Sequence, residues 1–199
     1  MLASNGVFEG AFREKLEDSH SMERVIEWVS LAYLWGDETL DSSLMKRVFE
    51  SARNLETASQ YFWSVRGEKL TDDQIEQILA FWSRAVAWAK TQNVAPATLL
   101  SRLSRLSEYL KALDARAKEL LLAVVPYVHT DYGADNMVEE LDRLLDSNPS
   151  DTAVILLRML EANAPKRGLA AEHRCRAIVR IVVAERPDAV GRIFRAGDH

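Results

Sequence analysis

The residues best suited to metal chemistry in this sequence are His173 and Cys175, which stand two positions apart. Imidazole and thiolate groups are common zinc ligands. On a helix, however, two positions correspond to a rotation of about 200°, so the two side chains point to nearly opposite sides. Cys175 is also the one cysteine of the chain, which excludes an internal disulfide and a cysteine-rich zinc site. We therefore expect no metal site and interpret Cys175 as a small core residue.

His129 and Asp131 are the second candidate, because a carboxylate can orient an imidazole for base catalysis. No serine or cysteine nucleophile stands nearby in the sequence, so a turn followed by a helix N-cap is the favoured interpretation. The chain also lacks the common phosphate-binding, dinucleotide-binding, zinc-protease and nucleophile-elbow motifs. We expect no catalytic residue, no cofactor and no enzyme activity. A site assembled from distant residues, His129 among them, is the alternative.

Charged residues suggest two surfaces. His173, Arg176 and Arg180 lie at i, i+3 and i+7 of a predicted helix, so they form a basic strip about two turns long. This strip is the candidate contact for a phosphate group or an acidic partner. The second surface is acidic and lacks the alternating ligands and central glycine of a calcium loop, which favours a solvated helix face. It comprises Asp135, Glu139, Glu140 and Asp142.

Net charge is distributed unevenly along the chain. Up to residue 165 there are 17 Lys and Arg against 26 Asp and Glu, whereas from residue 166 onward there are 8 against 4. The overall charge of −5 excludes a global basic field of the kind that drives non-specific nucleic-acid binding. The basic end is interpreted first as meeting acidic surface in this chain or in a neighbouring domain. Contact with nucleic acid is the alternative.

The pattern of apolar residues predicts an all-α protein. Apolar residues recur at three- and four-residue spacing, and alternation with period two is almost absent. The 8 glycines and 5 prolines fall mostly between the periodic segments. We predict about ten or eleven helices, over residues 21–35, 41–52, 56–65, 71–92, 96–109, 114–126, 131–146, 149–163, 170–185 and 187–195.

Several helix boundaries are predicted from capping residues. Thr71 is a good N-cap and is followed by two aspartates in the first helical turn. Asp114 is predicted to cap the helix that follows it, and Asn148 before Pro149 is a strong start signal. The two helices between residues 41 and 65 are predicted to break near Asn54. The helix at 71–92 carries two apolar stripes, which predicts that both faces are covered.

Successive helix starts are spaced by about 17 to 21 residues, so a helix pair occupies about 35 to 40, as in HEAT- and TPR-type repeats. We expect a HEAT-like α-solenoid or, as the alternative, an irregular helical array. The helices are expected to form one domain over 1–199, with subdivisions near 66–71 and 165–169 as a further option.

The longest apolar run, residues 120–128, is far shorter than the roughly 20 residues of a membrane span. No targeting signal is evident at the N-terminus, so a cytoplasmic protein without membrane contact is expected.

The aromatic residues cluster in the first half of the chain, at helical spacing that is typical of a hydrophobic core. A groove that accepts a partner helix or peptide is the alternative interpretation. The residues are Trp28, Tyr33, Trp35, Tyr61, Phe62, Trp63, Phe81, Trp82 and Trp88.

Three segments resemble a known group of proteins. The sequence FWSRAVAWA at 81–89, together with residues 138–160 and 174–194, is similar to the helical C-terminal regions of large bacterial multidomain proteins. Those proteins often carry an NTPase or sirtuin-like enzyme domain upstream, and many are linked to antiphage defence. The glycine- and aromatic-rich ending of that group is missing here. The resemblance implies a sensor or scaffold, and no catalytic residue transfers to this chain.

Taken with the absence of catalytic motifs, the helical pattern favours a non-enzymatic scaffold that contacts a protein partner or covalently attached domains. The alternative is a nucleic-acid-associated helical protein that binds through its basic C-terminal end.

Overall fold

The computed structural model describes residues 21–35, 43–128 and 132–163, and its regular structure within those ranges is entirely helical. Four short 3₁₀ segments extend or follow the α-helices, and no strand occurs in the described ranges. The α-helices are α1 (Met22–Trp35), α2 (Ser43–Val48), α3 (Ala52–Ser64), α4 (Asp72–Lys90), α5 (Ala97–Leu103), α6 (Ala115–Val124), α7 (Tyr132–Leu144) and α8 (Pro149–Asn163). The predicted all-α class is confirmed. The helices predicted at 170–185 and 187–195 lie outside the described residues, and the HEAT-like arrangement stays a prediction.

The chain forms two compact units that divide between Ala95 and Pro96. Unit 1 contains α1 to α4, and unit 2 contains α5 to α8. The segment 66–71, considered above as a subdivision, lies inside unit 1. The expectation of one domain over the whole chain stays a prediction.

Unit 1 is built around an aromatic cluster. Helix α1 packs against α2, α3 and α4, and the rings of Tyr33, Phe62 and Phe81 meet where α1, α3 and α4 come together. The centroids of Phe62 and Phe81 are 4.7 Å apart in an edge-to-face arrangement, and those of Tyr33 and Phe62 are 6.2 Å apart. The Tyr33 hydroxyl donates to the carbonyl of Gln77 at 3.0 Å. These ring contacts hold α1, α3 and α4 in fixed positions relative to one another.

The start of α4 is held by a capping box. The Thr71 hydroxyl accepts a hydrogen bond from the Gln74 backbone N–H, and the Gln74 side chain accepts one from the Thr71 N–H. The same Gln74 side chain donates to the Leu34 carbonyl at 3.1 Å, near the end of α1. The predicted N-cap is therefore confirmed, and it also ties α4 to α1.

We expect Thr71→Ala to lower the free energy of unfolding by about 0.5 to 2 kcal/mol, because the first-turn N–H of Gln74 loses its acceptor. Urea denaturation measures this change. Thr71→Ser keeps the hydroxyl, so it should stay close to wild type. Equal losses in the two variants would show that the hydroxyl contributes nothing.

The break between α2 and α3 lies at Glu50 and Ser51 rather than near Asn54, which corrects the sequence prediction. Ser51 is the N-cap of α3, and its hydroxyl accepts from the Asn54 backbone N–H at 3.2 Å. The Asn54 side chain donates to the Arg47 carbonyl at 2.8 Å and so satisfies an acceptor in the last turn of α2. Asn54 joins the two helices from inside α3.

Unit 2 uses side-chain caps at two helix starts and a hydrogen bond between its loops. Asp114 caps α6 by accepting from the Ala117 N–H at 2.8 Å, and Asn148 accepts from the Asp151 N–H at 3.1 Å, so both predicted caps are confirmed. Asp151 also accepts from Lys118 of α6 at 2.5 Å. The Leu113 N–H donates to the Ser147 hydroxyl at 3.0 Å, which joins the loops before α6 and α8. These contacts surround a leucine-rich core that includes Leu106 and Leu121.

Candidate interaction surface

The outward face of α1 carries Trp28, which is the most exposed aromatic side chain in the part of the chain that the structure describes. The opposite face is sealed, since Val25, Ile26 and Val29 are each at most 4% exposed. Trp28 is 39% exposed and Met22, at the start of the helix, is 55% exposed. One face of α1 is therefore packed into the core, while the other face exposes a tryptophan and is a candidate contact surface.

Arg24, Trp28 and Leu31 form one row on this outward face, which we call the α1 row. Their spacing of i, i+4 and i+7 places them along one side of the helix over about 10 Å. Arg24 is exposed and Leu31 is half-buried. The row therefore combines a tryptophan and an arginine, two residue types that contribute strongly to protein interfaces, with one aliphatic side chain.

Charges at the α1 row are partly neutralised within the chain. Glu23 pairs with Arg53 of α3 at 2.7 Å, and the hydrogen bond to Glu23 raises the pKa of the Arg53 guanidinium. Arg24 and Glu27 are exposed and make no ion pair with the residues that the structure describes. The row thus contains one exposed cation, Arg24, and is bordered by one exposed carboxylate, that of Glu27.

The aromatic residues divide between the two interpretations made from the sequence. Tyr33, Phe62, Phe81 and Trp82 are buried core residues, as the helical spacing predicted. Trp28 departs from that prediction because it lies on the outward face of α1. The sequence places Trp28 at helical spacing with other apolar residues, and only the packing of α1 shows that it lies outside the core.

The predicted basic strip of His173, Arg176 and Arg180 lies outside the described residues, so it stays a prediction. The same holds for Cys175 and for the pair His129 and Asp131.

The acidic surface is partly described. Glu139 and Asp142 are exposed, as expected of a solvated helix face, while Glu140 accepts two hydrogen bonds from Arg143, at 2.6 and 2.8 Å. Arg143 also donates to the Ser107 carbonyl. Within residues 21–35, 43–128 and 132–163, no cluster of three or more His, Cys, Asp or Glu side chains is arranged to hold a metal ion.

Comparison of the chain with models of protein families, with curated proteins and with solved structures finds no match. Among the helices described here, none combines the length and the apolar character needed to cross a membrane.

Proposed function

We propose that this protein is a non-enzymatic, α-helical interaction module and that the α1 row is its contact surface. Its partner is an amphipathic helix of another protein. The module would then be the sensor or scaffold part of a larger bacterial defence protein. This part of the proposal rests on the resemblance noted in the sequence. The observation that carries the proposal is the 39% exposure of Trp28 on a helix whose other face is closed.

The shape and charge of the α1 row favour a helical partner. A straight row about two turns long matches the apolar row that an amphipathic helix presents at i, i+3, i+4 and i+7. Arg24 lies in the row and Glu27 lies beside it, so the surface carries one positive and one negative side chain. A matching partner therefore carries an acidic and a basic side chain beside its apolar row. The order of these two charges along the partner helix sets its orientation relative to α1.

A displayed library of helical peptides, with apolar residues fixed at i, i+3, i+4 and i+7 and the other positions varied, tests the proposal. We expect selection on the intact protein to enrich peptides with an acidic residue beside the apolar row. Trp28→Ala should weaken their binding at least about tenfold, equivalent to about 1.4 kcal/mol. Arg24→Glu should weaken the acidic peptides and favour basic ones.

Val94→Ala is the matched control, because Val94 is also an exposed apolar residue (82%) but lies outside α1. It should leave peptide binding unchanged. The proposal fails if no peptide binds better to wild type than to Trp28→Ala. If the protein instead binds DNA or RNA with an affinity that falls steeply as salt is added, the nucleic-acid alternative replaces it.

A further inference from the structure

The connection between the two units is the most exposed segment that the structure describes. All five residues from 91 to 95 are exposed, and Val94 reaches 82%. A large aliphatic side chain gains nothing from such a position in the fold, because it buries no apolar surface. The Thr91 hydroxyl and the Gln92 side-chain amide both donate to the Trp88 carbonyl, at 2.7 and 3.3 Å, and so hold these two residues to the end of α4. Residues 93–95 make no side-chain hydrogen bond within the part of the chain that the structure describes.

The backbone is not held either. The last N–H groups to donate on the α4 side are those of Thr91 and Gln92, and the first on the α5 side is that of Leu100. Residues 93–99 between them donate no backbone hydrogen bond. Pro96, the N-cap of α5, has no N–H and makes no side-chain cap. The Pro96 carbonyl nevertheless accepts from the Leu100 N–H and Leu99 is fully buried, so the unsupported segment is residues 93–95.

Other connections in the described part of the chain are better secured. Between α3 and α4, the N–H groups of Glu68 and Leu70 both donate, each at 3.0 Å. Between α5 and α6, Leu110 and Leu113 are buried and each donates a backbone hydrogen bond. The helices that follow these connections have side-chain caps. Residues 93–95 make no such hydrogen bond, and the helix that follows them has no side-chain cap.

We propose that residues 93–95 form a proteolytic cleavage site, at which a peptidase that prefers a small aliphatic residue cuts the bond between Val94 and Ala95. Peptidases act on exposed segments that can leave the fold locally, which an unsupported backbone allows. Water is the co-reactant. The C–N bond breaks, Val94 gains a terminal carboxylate and Ala95 gains a terminal amine. The cut separates the chain at the boundary between its two units.

Limited digestion of the full-length protein by elastase, whose specificity pocket accepts small residues, tests the site. Intact-mass analysis of a time course identifies each cut. Among bonds within residues 21–35, 43–128 and 132–163, we expect the Val94–Ala95 bond to be hydrolysed first, at least about tenfold faster than the next, since residues 93–95 themselves make no hydrogen bond that local opening would break.

Two variants test whether a change in the cleavage rate comes from the cleaved bond itself or from a general loss of structure. Val94→Asp should slow cleavage of this bond at least tenfold, because a carboxylate does not suit a small apolar pocket, whereas Val94→Ala should remain cleavable. Circular dichroism checks that both variants keep their helix content. The proposal is overturned if another bond in the described ranges is cut first, or if Val94→Asp is cut at this bond as fast as wild type. Resistance of the wild-type bond also overturns it.

Discussion

Trp82→Ala should lower the free energy of unfolding by about 3 to 5 kcal/mol, whereas Trp82→Phe should cost about 1 kcal/mol or less. Trp82 is fully buried in unit 1, so truncation to alanine leaves a large cavity. Its indole Nε1, however, is buried and finds no hydrogen-bond partner among the residues that the structure describes. Phenylalanine keeps most of the apolar contacts of the indole ring and removes the unpaired donor. Removal of the donor offsets part of the stability that is lost with the smaller side chain.

Urea denaturation of the two variants beside wild type measures the difference. Val94→Ala serves as the surface control and should change stability by less than about 0.5 kcal/mol. If Trp82→Phe proves as costly as Trp82→Ala, the Nε1 donor contributes to stability, and the explanation from an unpaired donor is wrong.

Phe62→Ala should also cost about 3 to 5 kcal/mol. The Phe62 ring is fully buried and contacts three other rings: those of Phe81 at 4.7 Å, Tyr61 at 6.0 Å and Tyr33 at 6.2 Å between centroids. Each such pair adds about 0.5 to 1.5 kcal/mol beyond the burial of apolar area. The loss therefore includes ring contacts as well as a cavity.

A double-mutant cycle isolates the ring contact between Phe62 and Phe81. Phe62→Leu and Phe81→Leu keep apolar volume while they remove the edge-to-face pair. We expect a coupling energy of about 0.5 to 1.5 kcal/mol from the four unfolding curves. A coupling near zero would mean that Phe62 stabilises unit 1 by volume alone.

The features that the sequence predicted well are local. The caps Thr71, Asp114 and Asn148 each act within one helical turn, so residue type and spacing suffice to identify them. The break between α2 and α3 was misplaced because Asn54 is a typical capping residue by itself. Ser51, three positions earlier, supplies the cap, and the Asn54 side chain instead reaches back to α2. Competition between two neighbouring capping residues is decided by such contacts.

The candidate contact surface and the unit boundary depend on packing. Trp28 lies in a helix with apolar residues on more than one side, and the packing of α2, α3 and α4 decides which side is buried. The boundary after Ala95 is likewise invisible in composition, since one proline and no glycine mark it. It becomes clear from the exposure of residues 91–95 and the uncapped start of α5.

The division at Ala95 makes intrinsic tryptophan fluorescence a probe of one unit. All five tryptophans, at positions 28, 35, 63, 82 and 88, precede this boundary. Tryptophan emission therefore reports on unit 1 alone, while far-ultraviolet circular dichroism reports on the helices of both units. Recording the two signals in one denaturation experiment compares the cooperativity of the units without any added fluorophore. Coincident transitions would mean that the units unfold together, and separate transitions would assign the tryptophan-detected midpoint to unit 1.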